Sequence, residues 1–242
     1  MKTKSIIRFL TIACLGIGMI QGGLFAQKVS ISGLVSIPNG DFAEDDKDDE
    51  ESGFAKTGYG AELGIDIPIS EQNLFLLINV MGICNPRDIS HLEDPVNFPG
   101  SNYRADVNNP SSLSIPIMGG ITYYHELSET SQFYFLGEFG VCLNSMSEVE
   151  LEKNRISGNP ARKIVEKWDY ESSSAFGVGF GAGFQINKLR LGFKFLSLGE
   201  HEKEVEYTKK EYIDMEPLEP IENEIEVENK ISMMTFSIGV TF

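Results

Sequence analysis

The sequence predicts an all-β protein: an eight-stranded antiparallel up-and-down transmembrane β-barrel with short periplasmic turns and long extracellular loops. Three observations predict it. The N-terminus reads as a secretory leader. Eight later segments alternate with a period of two. The connections between them alternate between long and short without exception.

The leader comes first. Lys2, Lys4 and Arg8 precede the apolar run "FLTIACLGIGMI" and then "QGGLFAQ". That is the charge, apolar run and small-residue order of a signal peptide. Cleavage is expected after Ala26, which divides the chain into a signal peptide, 1–26, and a barrel domain, 27–242. The run falls short of the ~20 apolar residues that span a bilayer as a helix. No later segment approaches such a helix. A closed barrel needs none, because its strands satisfy one another's backbone groups in lipid. The mean hydropathy of −0.12 is compatible with strands that are only half apolar.

The strands follow in order. Segment 29–37, "VSISGLVSI", sets Val29, Ile31, Val35 and Ile37 on one face, because successive side chains of a strand point to opposite sides. Segment 58–69 sets Tyr59, Leu63, Ile65 and Ile67 opposite Gly60, Glu62, Gly64 and Asp66. Segment 74–83 is apolar on both faces. Segment 113–124 contains Pro116, which cannot donate a ladder bond, so a lumen-facing bulge is expected there. Segment 133–143 sets Phe133, Phe135, Phe139 and Val141 opposite Tyr134, Glu138 and Gly140. Segment 175–186, "AFGVGFGAGFQI", has one face of large apolar residues and one almost entirely of glycine. Segment 189–198 opposes Leu189, Leu191, Phe193 and Phe195 to Arg190, Gly192 and Lys194. Segment 234–242 closes the series with Met234, Phe236, Ile238, Val240 and Phe242 on one face.

Alternation alone does not say which face is buried. A soluble barrel turns its apolar face inward and a membrane barrel turns it outward. The non-apolar face is rich in Gly, Ser and Ala, which fits a crowded interior. Its few charges carry both signs: Glu62, Asp66, Glu138, Arg190 and Lys194. Charges in a narrow interior persist when they are paired, because desolvating an unpaired ion costs several kcal/mol. These five are expected to form a charge network in the lumen. Aromatics such as Tyr123, Phe133, Phe184 and Phe242 stand near strand ends, where lipid meets water.

The loops hold the acid. "NGDFAEDDKDDEESG" in the first and "EHEKEVEYTKKEYIDMEPLEPIENEIEVEN" in the last carry 20 of the 36 carboxylates. Pro217 and Pro220 mark the tip of the last loop. Its flanks keep strand alternation, so the final hairpin can continue beyond the membrane. The apolar parity of Ile225 and Val227 does not match that of 234–242, which predicts a bulge or break near Lys230.

The chain resembles the small outer-membrane β-barrel proteins of Gram-negative bacteria, of the OmpX or OmpA-transmembrane-domain kind. It is most similar to the Bacteroidetes outer membrane protein β-barrel domain family. The resemblance rests on "SIPNGDF", "AKTGYGAELG", the eight-strand pattern and the terminal "FSIGVTF". It implies localisation in the outer membrane, with lipid and lipopolysaccharide as surroundings. It also implies that Phe236, Ile238, Val240 and Phe242 are the C-terminal signal read by the barrel-assembly machinery.

Composition narrows function further. The net charge of −16 becomes −19 once Lys2, Lys4 and Arg8 leave with the leader, which counts against a nucleic-acid partner. Cys84 and Cys142 belong to strands separated by another, so two free thiols are expected. The cluster Asp45, Asp46, Asp48, Asp49, Glu50 and Glu51 lacks the spacing of a Ca²⁺ loop and reads as a solvated loop, so neither metal nor cofactor is expected. His91 and His201 fall in outer loops and His125 at a periplasmic strand end. No base–nucleophile pair is evident, so no enzyme is expected. The leading functional expectation is a structural or surface-interaction role through acidic extracellular loops, with an unidentified extracellular ligand. The alternative is a small porin-like channel for ions or small solutes.

Overall fold

The computed structural model describes residues 27–44, 52–69, 73–92, 102–155, 161–214 and 216–242. The expected leader, 1–26, and the acidic cluster, 45–51, lie outside the described residues. Twelve strands run in chain order: β1 (Lys28–Asn39), β2 (Gly58–Pro68), β3 (Leu74–Pro86), β4 (Tyr103–Val107), β5 (Ser111–Ser128), β6 (Ser131–Met146), β7 (Val149–Arg155), β8 (Arg162–Tyr170), β9 (Ser173–Ile186), β10 (Leu189–Ile213), β11 (Glu216–Pro217) and β12 (Ile221–Thr241).

Eight of them close a ring, in the order β1, β2, β3, β5, β6, β9, β10, β12 and back to β1, every neighbour antiparallel. These are the eight segments that period-two alternation marks. Their alternation has a physical cause. Outward side chains such as Ile31, Phe139, Phe180 and Ile238 are exposed, while inward Ser36, Asn79, Asp66 and Asn144 are buried. The ring is therefore apolar outside and keeps its polar side chains inside, the pattern of a barrel set in lipid. Among the described residues no helix is long and apolar enough to cross a membrane.

The remaining strands correct the expectation of eight strands joined by plain loops. β4, β7 and β8 fold from two of the long connections and add to the far half of β10. At the long-loop end a second sheet thus stands above the ring, ordered β12–β10–β8–β7–β4.

β10 crosses from ring to upper sheet at a bulge. Its register against β12 shifts between Ser197 and Glu200, and Gly199 there has φ +88°, a left-handed conformation that glycine adopts without a Cβ penalty. The bulge or break expected near Lys230 is present in the ladder as this bulge, since Glu200, the first residue past it, pairs with Lys230; the extra residue lies on β10. β12 runs through without one, and its odd residues keep facing inward on both sides of that point. What changes is the medium outside. Lipid takes the apolar even residues 234–242; above the belt the apolar residues are Ile225 and Val227, on the other face, and glutamates point out. On β10 the outward apolar belt ends at Ser197, and outward glutamates begin at Glu200.

The expected bulge at Pro116 is also absent. Pro116 faces the lumen, and β5 keeps one register against β6 from Ser112 to Glu126. The missing ladder bond is absorbed on the β3 side, where pairing is interrupted between Val80–Ile117 and Ile83–Ser114 with no change of register.

Aromatics on the outer face are not confined to strand ends. They form a stripe down β6, β9, β10 and β12. Phe133–Phe184, Phe193–Phe236 and Phe180–Phe195 have centroids 4.9, 5.1 and 5.3 Å apart, within the range of favourable ring pairs. Cys84 and Cys142 are free, and their side chains occupy opposite faces of the wall.

The glycine face of β9 has a packing reason. A Cβ at Gly183 would collide with the Tyr134 ring, and one at Gly179 would meet Glu138 and Leu196. The neighbouring strand's large side chains therefore lie flat across β9. Gly183→Ala is expected to destabilise the barrel by about 1–3 kcal/mol, the usual overpacking cost, read as a lower urea midpoint for loss of the heat-resistant gel band.

Candidate functional site

The five charges that the sequence places on the inner face, Glu62, Asp66, Glu138, Arg190 and Lys194, gather in the lower lumen. Lys194 Nζ lies 2.7 Å from Glu62 Oε1 and 3.4 Å from Glu138 Oε1, which ties β10 to β2 and β6. Asn79 Nδ2 donates to Glu138 Oε2 at 2.9 Å. One layer nearer the short turns, Arg190 Nη1 lies 3.1 Å from Asp66 Oδ2 and 3.2 Å from Tyr124 Oη. Tyr124 Oη donates to the same Asp66 oxygen at 2.7 Å. The Arg190 guanidinium also stacks 4.1 Å above the Tyr134 ring, whose hydroxyl donates to Leu191 O. Asp66 is 0% exposed and Lys194 2%. These groups come from five strands, β2, β3, β5, β6 and β10, so they tie opposite sides of the ring together.

Above this network the lumen is apolar. Leu34, Met81, Ile83, Met118, Leu196 and Met233 converge there from five strands. Phe42, in the 3-10 turn Gly40–Phe42 of the first long connection, drops into the mouth and is 1% exposed. Tyr124, Tyr134, Asn79 and this plug complete the filling. Their sequence signal is inward parity next to the charged residues.

The histidines are placed as follows. His125 is exposed near the short turns, and His91 falls in the turn Ser90–Leu92. His201 is not a loop residue, as the sequence suggests, but is fully buried beside the bulge. Its Nε2 lies 3.2 Å from Leu198 O and its Nδ1 2.9 Å from Ser173 Oγ. The carbonyl only accepts, so Nε2 carries the proton and Ser173 donates to Nδ1. His201 thus donates to a carbonyl inside the bulge. Burial pushes the imidazole down to about 4, which makes it a weak base. Among the described residues no group of three or more His, Cys, Asp and Glu side chains gathers as a metal centre.

Phe236, Ile238, Val240 and Phe242 all point outward at the short-turn end of β12, and all are exposed. The terminal strand pairs on both sides, with β1 and β10.

The upper sheet separates its charges. On β7 and β8 they are paired: Lys163 with Glu152 at 2.6 Å, and Lys167 with Glu150 at 2.7 Å and Glu148 at 3.0 Å. The hydrogen bond from Lys163 holds Glu152 below the usual carboxylate range. On the β10–β12 hairpin they are opposed. Glu202 faces Glu228, Glu204 faces Glu226 and Glu206 faces Glu224, all on the outward side and all exposed. Glu200, at the foot of the hairpin, instead faces a cation in register, Lys230. Like charges directly opposite across strands are destabilising.

No protein-family model and no curated protein matches the chain. Solved structures resemble it weakly. Neisserial surface protein A is 11% identical, covering 89% of this chain and 95% of that one, with a TM-score of 0.40. A major outer membrane protein from Thermus thermophilus is 11% identical, over 90% and 99%, at 0.42. Ail, the attachment invasion locus protein of Yersinia pestis, solved with the heparin analogue sucrose octasulfate, is 12% identical, over 89% and 97%, at 0.36. The membrane reading rests on the ring's own surface chemistry.

Proposed function

We propose that the protein is a non-conducting outer-membrane anchor whose upper sheet meets cationic partners outside the cell. The opposed glutamate pairs of the β10–β12 hairpin carry this reading. Two of them, Glu204–Glu226 and Glu206–Glu224, hold repulsion that a positively charged partner would relieve. The filled lumen supports the non-conducting half. Eight strands leave an interior that side chains can fill, and here an ion network and an apolar plug occupy successive levels.

The test has two parts. Refolded protein in a planar bilayer is expected to give no discrete current steps; steps that change on Glu62→Gln would establish a pore instead. Decalysine is expected to bind with an affinity that falls steeply with salt. Replacing Glu204, Glu206, Glu224 and Glu226 with glutamine is expected to weaken it at least tenfold. Unchanged decalysine binding in that variant would remove the hairpin from the reading.

A further inference from the structure

The upper sheet has an open edge at β12. β1 accompanies β12 only as far as the pair Asn39–Ser232, whereas β12 runs on against β10 to Ile221. From Ile221 to Val227 no strand among the described residues pairs with its other side. The barrel decides which groups β12 offers there. At the short-turn end Phe242 exchanges both backbone hydrogen bonds with Val29 of β1, while Thr241 N donates to Lys188 O on the β10 side. Even-numbered residues of β12 thus turn their N–H and C=O towards the β1 side. The extra residue of the bulge lies on β10, so this parity persists upward. Glu222, Glu224 and Glu226 therefore present their N–H and C=O groups along the open edge, beside their own exposed side chains on the outward face.

The other face of this edge is apolar. Ile221 is 54% exposed and Ile225 48%, although Val205, opposite Ile225 on β10, is 1% exposed. Cover on that face thus stops one strand short of the edge. A free edge is a template for pairing with another strand. A second copy of this chain is a poor occupant. Two β12 edges paired antiparallel set glutamate beside glutamate on the outward face, and like charges directly opposite are destabilising. The same carboxylates favour an incoming strand that carries cations.

We infer that this edge takes up an extended peptide of alternating cationic and apolar residues as an added antiparallel strand, a binding mode that rests on the acidic reading above. Its Lys or Arg side chains lie beside Glu222, Glu224 and Glu226. Its apolar side chains lie beside Ile221 and Ile225. Main-chain hydrogen bonds supply affinity in such an added strand, and alternate side chains supply specificity. Directly opposite residues of an antiparallel pair share a face, and those of a hydrogen-bonded pair exchange both backbone bonds. The peptide N–H groups that reach β12 are therefore those of its cationic residues.

The test is fluorescence anisotropy of the labelled, end-capped peptide Lys-Val-Lys-Thr-Lys-Val-Lys against refolded protein in detergent, with decalysine in parallel. It is expected to bind at least tenfold tighter than Lys-Lys-Lys-Lys-Val-Thr-Val, which has the same composition and charge. N-methylating its third and fifth residues, both Lys, is expected to weaken binding at least tenfold. N-methylating its second and sixth, both Val, is expected to change it less than twofold. On the protein, Glu224→Gln and Glu224→Pro remove the same charge. Proline also removes an edge N–H, yet spares the ladder to β10, because that N–H faces away from it. With folding checked by the gel shift, the two variants are expected to bind decalysine alike, and the proline variant to bind the alternating peptide at least fivefold more weakly. Equal binding of the two peptide orders, or equal effects of the two methylation patterns, would overturn the added strand. If decalysine still bound, the acidic reading would survive that result; no binding of decalysine or either peptide would remove both.

Discussion

Replacing Lys194 with methionine is expected to destabilise the barrel by about 3–5 kcal/mol, the cost of breaking a buried ion pair from one side. The ammonium is the shared partner of Glu62 and Glu138, both buried. Removing it leaves two carboxylates close together in a narrow interior. Asn79 can still donate to Glu138 but brings no charge. Methionine keeps most of the stem's packing, so the loss reports charge rather than volume. The control is the triple variant Lys194→Met, Glu62→Gln and Glu138→Gln. Taking all three charges away is expected to recover most of the stability, since a buried ion cluster is often no better than a neutral filling. Urea midpoints of the heat-resistant band measure both. A single Lys194→Met variant as stable as the parent would mean that water reaches the site, and would reopen the channel reading.

The ring was legible because two media act on every strand at once. Lipid outside and a crowded lumen inside force a period of two, which seven of the eight ring strands carry in sequence; β3 alternates in burial alone, because Leu77, Met81 and Ile83 help to fill the lumen. The inward parity of Glu62, Asp66, Glu138, Arg190 and Lys194 was legible for the same reason. Their pairing was not: Lys194 and Glu62 are 132 residues apart, and only closure of the ring with its particular stagger brings them level. Above the belt the rule fails. Water bathes the outward face of the upper sheet, so glutamates replace aromatics there and the apolar residues change sides. On β12 that exchange resembles a register break, and the true bulge lies on its partner, marked by Gly199. β7 and β8 were hidden because Lys–Glu pairs alternate with short apolar residues in segments that read as polar loops.

Acidification is expected to loosen the junction between ring and upper sheet, through two buried groups above the belt. His201 is 0% exposed and Lys203 3%. Burial pushes the imidazole down to about 4 and the ammonium down to about 7, with the Lys203 charge and the Arg87 charge adding to the respective shifts. Lys203 donates to the neutral Asn144 Oδ1, whose amide is held in turn by Ser112 and Ser114. Both folded values lie below those of the unfolded chain, ~6.5 for His and ~10.4 for Lys. The unfolded chain therefore binds more protons in each interval, and stability rises with pH there. The His201 contribution is fully present above pH ~6.5 and is lost as pH falls through about 4, at most about 3 kcal/mol. The Lys203 penalty is full below pH about 7 and fades as pH climbs towards ~10.4, at most about 5 kcal/mol. Stability should thus climb in two separate steps. Lys203→Met is expected to remove the upper step and raise stability at pH 6, because its methyl end needs no proton and no water. His201→Gln is expected to remove the lower step alone. The measurement is the urea midpoint from pH 4 to 10 for all three proteins. A Lys203→Met variant that keeps the upper step would assign that step to another group and leave the buried ammonium without a part in it.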